Sequence, residues 1–189
     1  MAIAGRLVTL SLDGKISVNP VGARLEKRII YDTSNVPIEL MVGVFDYNSA
    51  QVPDPGIIWA FPLPYEYTNG QGFSVQIVWA VEKPVVTGAV VWELSASIMR
   101  MNQTGETFDA VAWGTPTVQA ANTVPTTAGM FDSDLITLTE ANCGNAAGNA
   151  TDGSTAQMLF VRLRRKNSSA SDTCDAPVLL FGAELDEGI

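Results

Sequence analysis

The chain has 189 residues, with 20 acidic against 11 basic side chains, a net charge of −9 and no histidine. An acidic balance of that size argues against nucleic acid as a primary partner, because phosphate binding draws on Lys and Arg in excess. Missing histidine removes the commonest general base and metal ligand, and no apolar run reaches the roughly 18 residues of a membrane helix.

The length suits one domain, or one domain with an appended arm. Cys143 and Cys174 are too few for a disulfide scaffold or a structural zinc site. They read as free thiols, with a single bridge between them as the other option. Residues 1–14 hold only Arg6 and a short apolar stretch cut by Asp13, which does not read as a signal peptide.

Residues 6–12 alternate, Asp13-Gly14 suits a tight turn, and residues 15–18 return, so residues 1–19 are expected to form a hairpin. Residues 22–28 carry Arg24, Glu26, Lys27 and Arg28 and read as a solvated connection or extended arm. Strands are expected at 28–31 and 38–45. Residues 51–72 hold Pro53, Pro55, Pro62 and Pro64, which excludes a continuous central strand and leaves an edge strand at 57–61.

The strongest pattern is 73–101. Phe73, Val75, Ile77 and Trp79 alternate, and so do Val90, Trp92, Leu94, Ala96 and Ile98, with Glu93, Ser95 and Ser97 on the opposite face. Two long strands joined by a turn at 82–88 are expected, their indoles acting as core anchors. Further strands are expected at 114–121, 135–139, 156–166 and 177–185, with a loop at 122–129 and a helical turn only at 139–142. In 156–166, Leu159, Val161 and Leu163 share one face, and Phe160, Arg162 and Arg164 share the other. About eight to ten strands without a convincing helix predict an all-β fold, an antiparallel β-sandwich of jelly-roll form. Residues 1–37 would be its N-terminal arm or hairpin, and 38–189 the sandwich.

Little chemistry is legible. Asp132 and Asp134 are read as turn residues rather than an acid/base or cation pair, and residues 149–153 lack calcium-loop spacing. No nucleotide-binding or nucleophile motif is present, so neither an enzyme nor a cofactor or metal site is expected. Two sets of contact residues stand out. Tyr65, Tyr67 and Trp113 lie in or beside expected loops and could stack on sugars or fill an interface. Arg162 and Arg164, with Arg165 and Lys166, form a basic row that could meet Glu184, Asp186 or Glu187 in an oligomer.

The second half resembles a structural module of tailed bacteriophages. In it, a strand ending in Trp (Trp79) precedes Gly-x-Val-x-Trp (Gly88, Val90 or Val91, Trp92). A late basic strand (Leu163, Arg164 or Arg165) then leads through an Asp-rich turn (Asp172, Asp175) to Leu179, Leu180, Gly182 and Leu185. The resemblance covers roughly 38–189, and departs from the pattern at Lys166-Asn167 and in the longer loop before the basic strand. It implies a β-sandwich or jelly roll found in head-decoration, head-fibre and tail-fibre proteins, with no catalytic residues. The function it implies is a capsid decoration or cement protein. Such a protein would be a homotrimer partnering the major capsid protein, located in the virion and assembled in the host bacterial cytoplasm, with no nucleic-acid or membrane partner. The alternative is a tail-fibre or receptor-binding tip domain that recognises host surface polysaccharide.

Overall fold

A computed structural model describes residues 8–10, 17–18, 23–31, 34–47, 54, 56–62, 72–82, 88–100, 111–127, 130–144 and 157–187. Strands follow one another as β1 (Val8–Leu10), β2 (Ser17–Val18), β3 (Ala23–Tyr31), β4 (Pro37–Phe45), β5 (Gly56–Pro62), β6 (Phe73–Val81) and β7 (Ala89–Val90). They continue as β8 (Trp92–Arg100), β9 (Thr117–Val118), β10 (Asn122–Thr123), β11 (Phe131–Leu138), β12 (Gln157–Arg165) and β13 (Val178–Glu187). A 3-10 turn at Glu140–Asn142 is the one helical element among the described residues.

β10 pairs with β7 in a separate two-stranded ladder, and two large antiparallel sheets face each other. One runs β11-β6-β13-β4-β3 with β1 also on β13, and the other runs β2-β5-β12-β8-β9. The long strands from β4 onward alternate between them: β4, β6, β11 and β13 lie in the first sheet, β5, β8 and β12 in the second. That alternation is the jelly-roll form of a β-sandwich, and it corrects the expected pairing within 73–101. The strands β6 and β8 have the predicted faces, but they are in opposite sheets and meet across the core. A period of two fixes which side chains share a face and leaves open which strand lies alongside.

Inward residues of both sheets make one core that includes Phe73, Val75, Ile77 and Trp79 of β6, Trp92, Leu94, Ala96 and Ile98 of β8, and Leu159, Val161 and Leu163 of β12. The indoles of Trp79 and Trp92 meet edge-on with centroids 6.1 Å apart, and the Phe45 ring stands at 88° to Trp92 at 5.3 Å. Such edge-to-face contacts contribute about 0.5–1.5 kcal/mol beyond area burial. Asp132 and Asp134 lie on the inward side of β11 rather than in a turn. Trp79 Nε1 donates to Asp134 Oδ2 at 2.9 Å, and Asn122 Nδ2 donates to both Asp134 oxygens at 3.1 Å. Here the carboxylate satisfies buried donors in the wall of the core.

Several expected loops are strands. Residues 23–31 pair with β4 along nine positions, so the charged stretch is sheet. Arg24, Glu26 and Arg28 fall on alternate outward positions, where Arg28 pairs with Glu26 at 2.9 Å and Glu82 at 3.0 Å. β1 pairs with β13 and β2 with β5, so the N-terminal stretch runs as an arm over both sheets instead of closing on itself. β5 has neighbours on both sides, β12 and β2, and is no edge. The strand expected at 114–121 is reduced to β9, and β10 falls in the expected 122–129 loop.

The β3–β4 ribbon leaves the sandwich. β13 pairs with β4 only at 178–180, shifts register between Leu180 and Gly182, and then takes β1 at 183–185. Beyond that point β4 has only β3 beside it among the described residues. Its distal part carries exposed Ile29, Val36, Ile38 and Met41, and it turns through Asn35 at φ 61°, a left-handed value that Asn tolerates better than most residues. Met130, Phe131, Leu135 and Val78 are exposed at the other end of the same sheet.

The end of β12 is fixed by a buried ion pair. Alternation turns Arg165 inward, and it is 0% exposed. Its Nε donates to Asp172 Oδ2 at 3.1 Å and its Nη2 to Asp172 Oδ1 at 2.8 Å, while Nη1 donates to Ala176 O at 2.8 Å. Val91 N–H donates to Asp172 Oδ2 at 3.2 Å, so the pair also holds the chain just before β8. The basic strand and Asp-rich turn of the resemblance are therefore one interaction, Arg165 with Asp172.

Removing one member strands the other charge in the core. Arg165→Met or Asp172→Asn should each lower unfolding free energy by about 3–5 kcal/mol. Chemical denaturation of the double variant should show a loss well below the sum of the two single losses.

Candidate functional site

Outward residues of the five-stranded sheet make the most chemically distinctive surface among the described residues. Register places Arg162 opposite Ser95, Arg164 opposite Glu93 and Phe160 opposite Ser97, with Ile58, Gly56 and Ala60 of β5 on their other side. Gly56 is required there, since a Cβ would sit 2.6 Å from Arg164 Cγ. The outer face of β8 is covered: Glu93, Ser95 and Ser97 are all buried.

Part of that cover is positioned by two glycines. Residues 111–116 run beside β8, where Ala96 O accepts from Gly114 N–H at 3.1 Å and from Gly144 N–H at 3.0 Å. A Cβ on Gly114 would come within 1.8 Å of Asn142 O, and one on Gly144 within 1.7 Å of Ala112 O. Backbone meets backbone at this crossing, so neither neighbour can move aside cheaply. The crossing sets Trp113 over the sheet, where the Arg162 guanidinium lies 4.2 Å from its ring centroid. The indole and the guanidinium are both half-buried.

The three cations of the row are not equivalent. Glu93, 2% exposed, pairs with both Arg164 and Lys166, the latter at 2.8 Å, and Lys166 Nζ also lies 3.5 Å from Asp54 Oδ2. Asp54 is held in turn by the N–H and Oγ of Ser168, both at 2.8 Å. Arg162 has no carboxylate in contact among the described residues. Its Nη2 donates to Ser95 Oγ at 3.3 Å, and its Nε is shut off from solvent with no acceptor. Burial, and next the like charge of Arg164, push the Arg162 guanidinium down to about 10, against the opposing pull of Glu93. The folded value lies below the unfolded one, so the charge on Arg162 opposes folding at neutral pH, and that opposition is relieved as pH rises through the folded value.

Of the site residues read from the sequence, Trp113 and Arg162 come together, and Arg164 is tied to Glu93. Tyr65 and Tyr67 lie outside the described residues, as do 149–153. Within the chain, Arg164 and Lys166 pair with Glu93, and Lys166 also with Asp54; the expected meeting of the row with Glu184, Asp186 or Glu187 was one between subunits. Glu93 had been placed on the correct face but not as a partner. The signal available was its parity, which matches Arg164 on the neighbouring strand. Cys143 and Cys174 are buried free thiols. Burial pushes the Cys174 thiol up, opposed by its contact with Ala176 O at 3.7 Å. No group of three His, Cys, Asp or Glu residues able to hold a metal occurs among the described residues, and no helix there is long and apolar enough to cross a membrane.

No protein-family model and no curated protein sequence matches the chain. Among solved structures, the xylan-binding CBM22-1 domain of Paenibacillus barcinonensis Xyn10C is similar at 12% identity and a TM-score of 0.44, covering 100% of this chain and 98% of that one. The mannan-recognising carbohydrate-binding module TmCBM27 overlaps at 8% identity and a TM-score of 0.41, covering 97% of this chain and 99% of that one. The K1 cleaved adhesin domain of Lys-gingipain from Porphyromonas gingivalis W83 overlaps at 11% identity and a TM-score of 0.36, covering 98% and 91%. At these values no residue role and no ligand passes from them to this chain.

Two stability measurements check the site geometry. Arg162→Met, which removes a half-buried charge without a carboxylate partner, should leave the melting temperature unchanged or raise stability by about 1 kcal/mol. Gly144→Ala should cost more than the roughly 1–3 kcal/mol of ordinary overpacking, because backbone has to shift.

Proposed function

We propose that this chain is a non-catalytic binding module that recognises surface polysaccharide, of the kind carried at a tail-fibre or receptor-binding tip. The observation that carries the reading is the outward face of the five-stranded sheet, where half-buried Trp113 and Arg162 lie together and the buried Ser95 hydroxyl holds Arg162 in place. An aromatic ring beside a planar multidentate donor is the residue chemistry that grips sugar rings and hydroxyls. The apolar residues of the other sheet, at the β3–β4 ribbon and along β11, give such a module a separate surface for the assembly that displays it.

Those apolar residues also favour a second reading: a capsid decoration protein, the function implied by the resemblance over 38–189. In that reading the module binds the major capsid protein as a homotrimer, becomes part of the virion inside the host bacterial cytoplasm, and works through contact area. Exposed Ile29, Ile38, Met41, Phe131 and Leu135 then form its interfaces.

The two readings separate on Trp113. Purified chain is expected to be retained by immobilised polysaccharide from bacterial surfaces. Trp113→Ala should weaken retention about tenfold, equivalent to ~1.4 kcal/mol, with the fold intact by circular dichroism. Rebinding to stripped capsids, with no retention on any polysaccharide, would replace the first reading by the second.

A further inference from the structure

We infer that Arg162, lying over Trp113 with Ser95 beside it, receives the carboxylate of an acidic sugar residue, so that the module prefers uronic or sialic acid polymers to neutral ones. The inference rests on the polysaccharide reading and adds a charge requirement to it.

Charge balance in the row is the first argument. Arg162, Arg164 and Lys166 stand against two carboxylates, Glu93 and Asp54, and both carboxylates are engaged by the other two cations. Among the described residues one positive charge is left over, on Arg162. A guanidinium drawn from water with no carboxylate in direct contact, and only the pull of an already paired Glu93, is costly, and a ligand carboxylate would complete it.

Geometry is the second argument. With Nε sealed and Nη2 reaching Ser95 Oγ, the guanidinium is held with its Cζ 4.2 Å from the centroid of the indole. A guanidinium held by the ring and by Ser95, with remaining Nη hydrogens that meet no carboxylate among the described residues, can pair with a ligand carboxylate and gives up little side-chain freedom on binding. Lysine at this position would provide charge without the fork. The net charge of −9 limits long-range attraction of a polyanion. Recognition therefore depends on short-range pairing at this one residue, in a half-buried setting where salt screens less than at an open surface.

Titration calorimetry at neutral pH would compare oligogalacturonate, oligomannuronate and oligosialic acid with the methyl ester of each. The free acid of at least one series should bind about tenfold or more tightly than its ester. Arg162→Gln should abolish that difference without lowering the melting temperature, Arg162→Lys should restore only part of it, and Ser95→Ala should reduce it. Equal binding of acid and ester overturns the carboxylate assignment and leaves the polysaccharide reading standing. So does an acid preference that survives Arg162→Gln. Absence of binding across all three series overturns the acidic-sugar assignment, and the polysaccharide reading falls as well only if immobilised bacterial surface polysaccharide also fails to retain the chain. Oligoglutamate bound as tightly as the acidic sugars, with the same dependence on Arg162, would assign the carboxylate to a protein partner and overturn the sugar assignment.

Discussion

The pair of Arg165 with Asp172 decides how the two sheets and the last long turn fit together. A guanidinium with no exposure has to have its donors met, and here a bidentate carboxylate and the carbonyls of Cys174 and Ala176 meet them. The carboxylate in turn accepts from the backbone of Val91. β12, the turn that follows it, and the entry to β8 are thereby locked to one another. Apolar residues packed in this place could give equal or greater stability, as replacements of buried ion pairs often do. What the ion pair adds is orientation: its hydrogen bonds are satisfied in one arrangement of the turn.

Arg162 and Arg165 sit three residues apart on one strand and face opposite fates. The inward one is matched by a carboxylate and carbonyl oxygens. The outward one is stacked, half-buried and without a carboxylate partner among the described residues. Parity alone separates a structural arginine from one available to a ligand. The neighbouring Arg164 pairs with Glu93, and Lys166 with Glu93 and Asp54, so among these described residues only Arg162 lacks a carboxylate in contact.

Much of this was legible from residue order. The alternation in 73–101 and 156–166 gave the faces of β6, β8 and β12, and with them the core indoles. Partnering was harder to see, because strands with identical patterns can lie side by side or face each other across a core. β3 was hidden by charge: Arg24, Glu26 and Arg28 fall on every second position, but their density resembles a solvated loop until the partners Asp46 and Glu82 are in place. Arg165 was masked by its type, since an arginine at an inward parity argues against burial unless its acid is known. At the candidate site, the resemblance drew attention to the basic strand and the Asp-rich turn. The placement of Trp113 over Arg162 depends on a glycine crossing between residues distant in sequence, and no local pattern announces it.

The position of β13 also bears on how the chain comes to be folded. It lies between β6 and β4 in the first sheet and carries β1 beyond its bulge, so the strand that follows all the others of this sandwich in sequence is the centre of that sheet. Until it emerges from the ribosome, β6 and β4 have no common neighbour and β1 has no partner. Among the described strands, only β3–β4 and β8–β9 pair elements consecutive in the chain. Loop-closure entropy is therefore spent on distant pairings before most of the core can form, which favours slow folding that is completed only once β13 is available. During that interval the apolar edges of β4 and β6 are open to the wrong neighbours. Losing even the final few residues of β13 would prolong that exposure far more than trimming a terminal strand at a sheet edge.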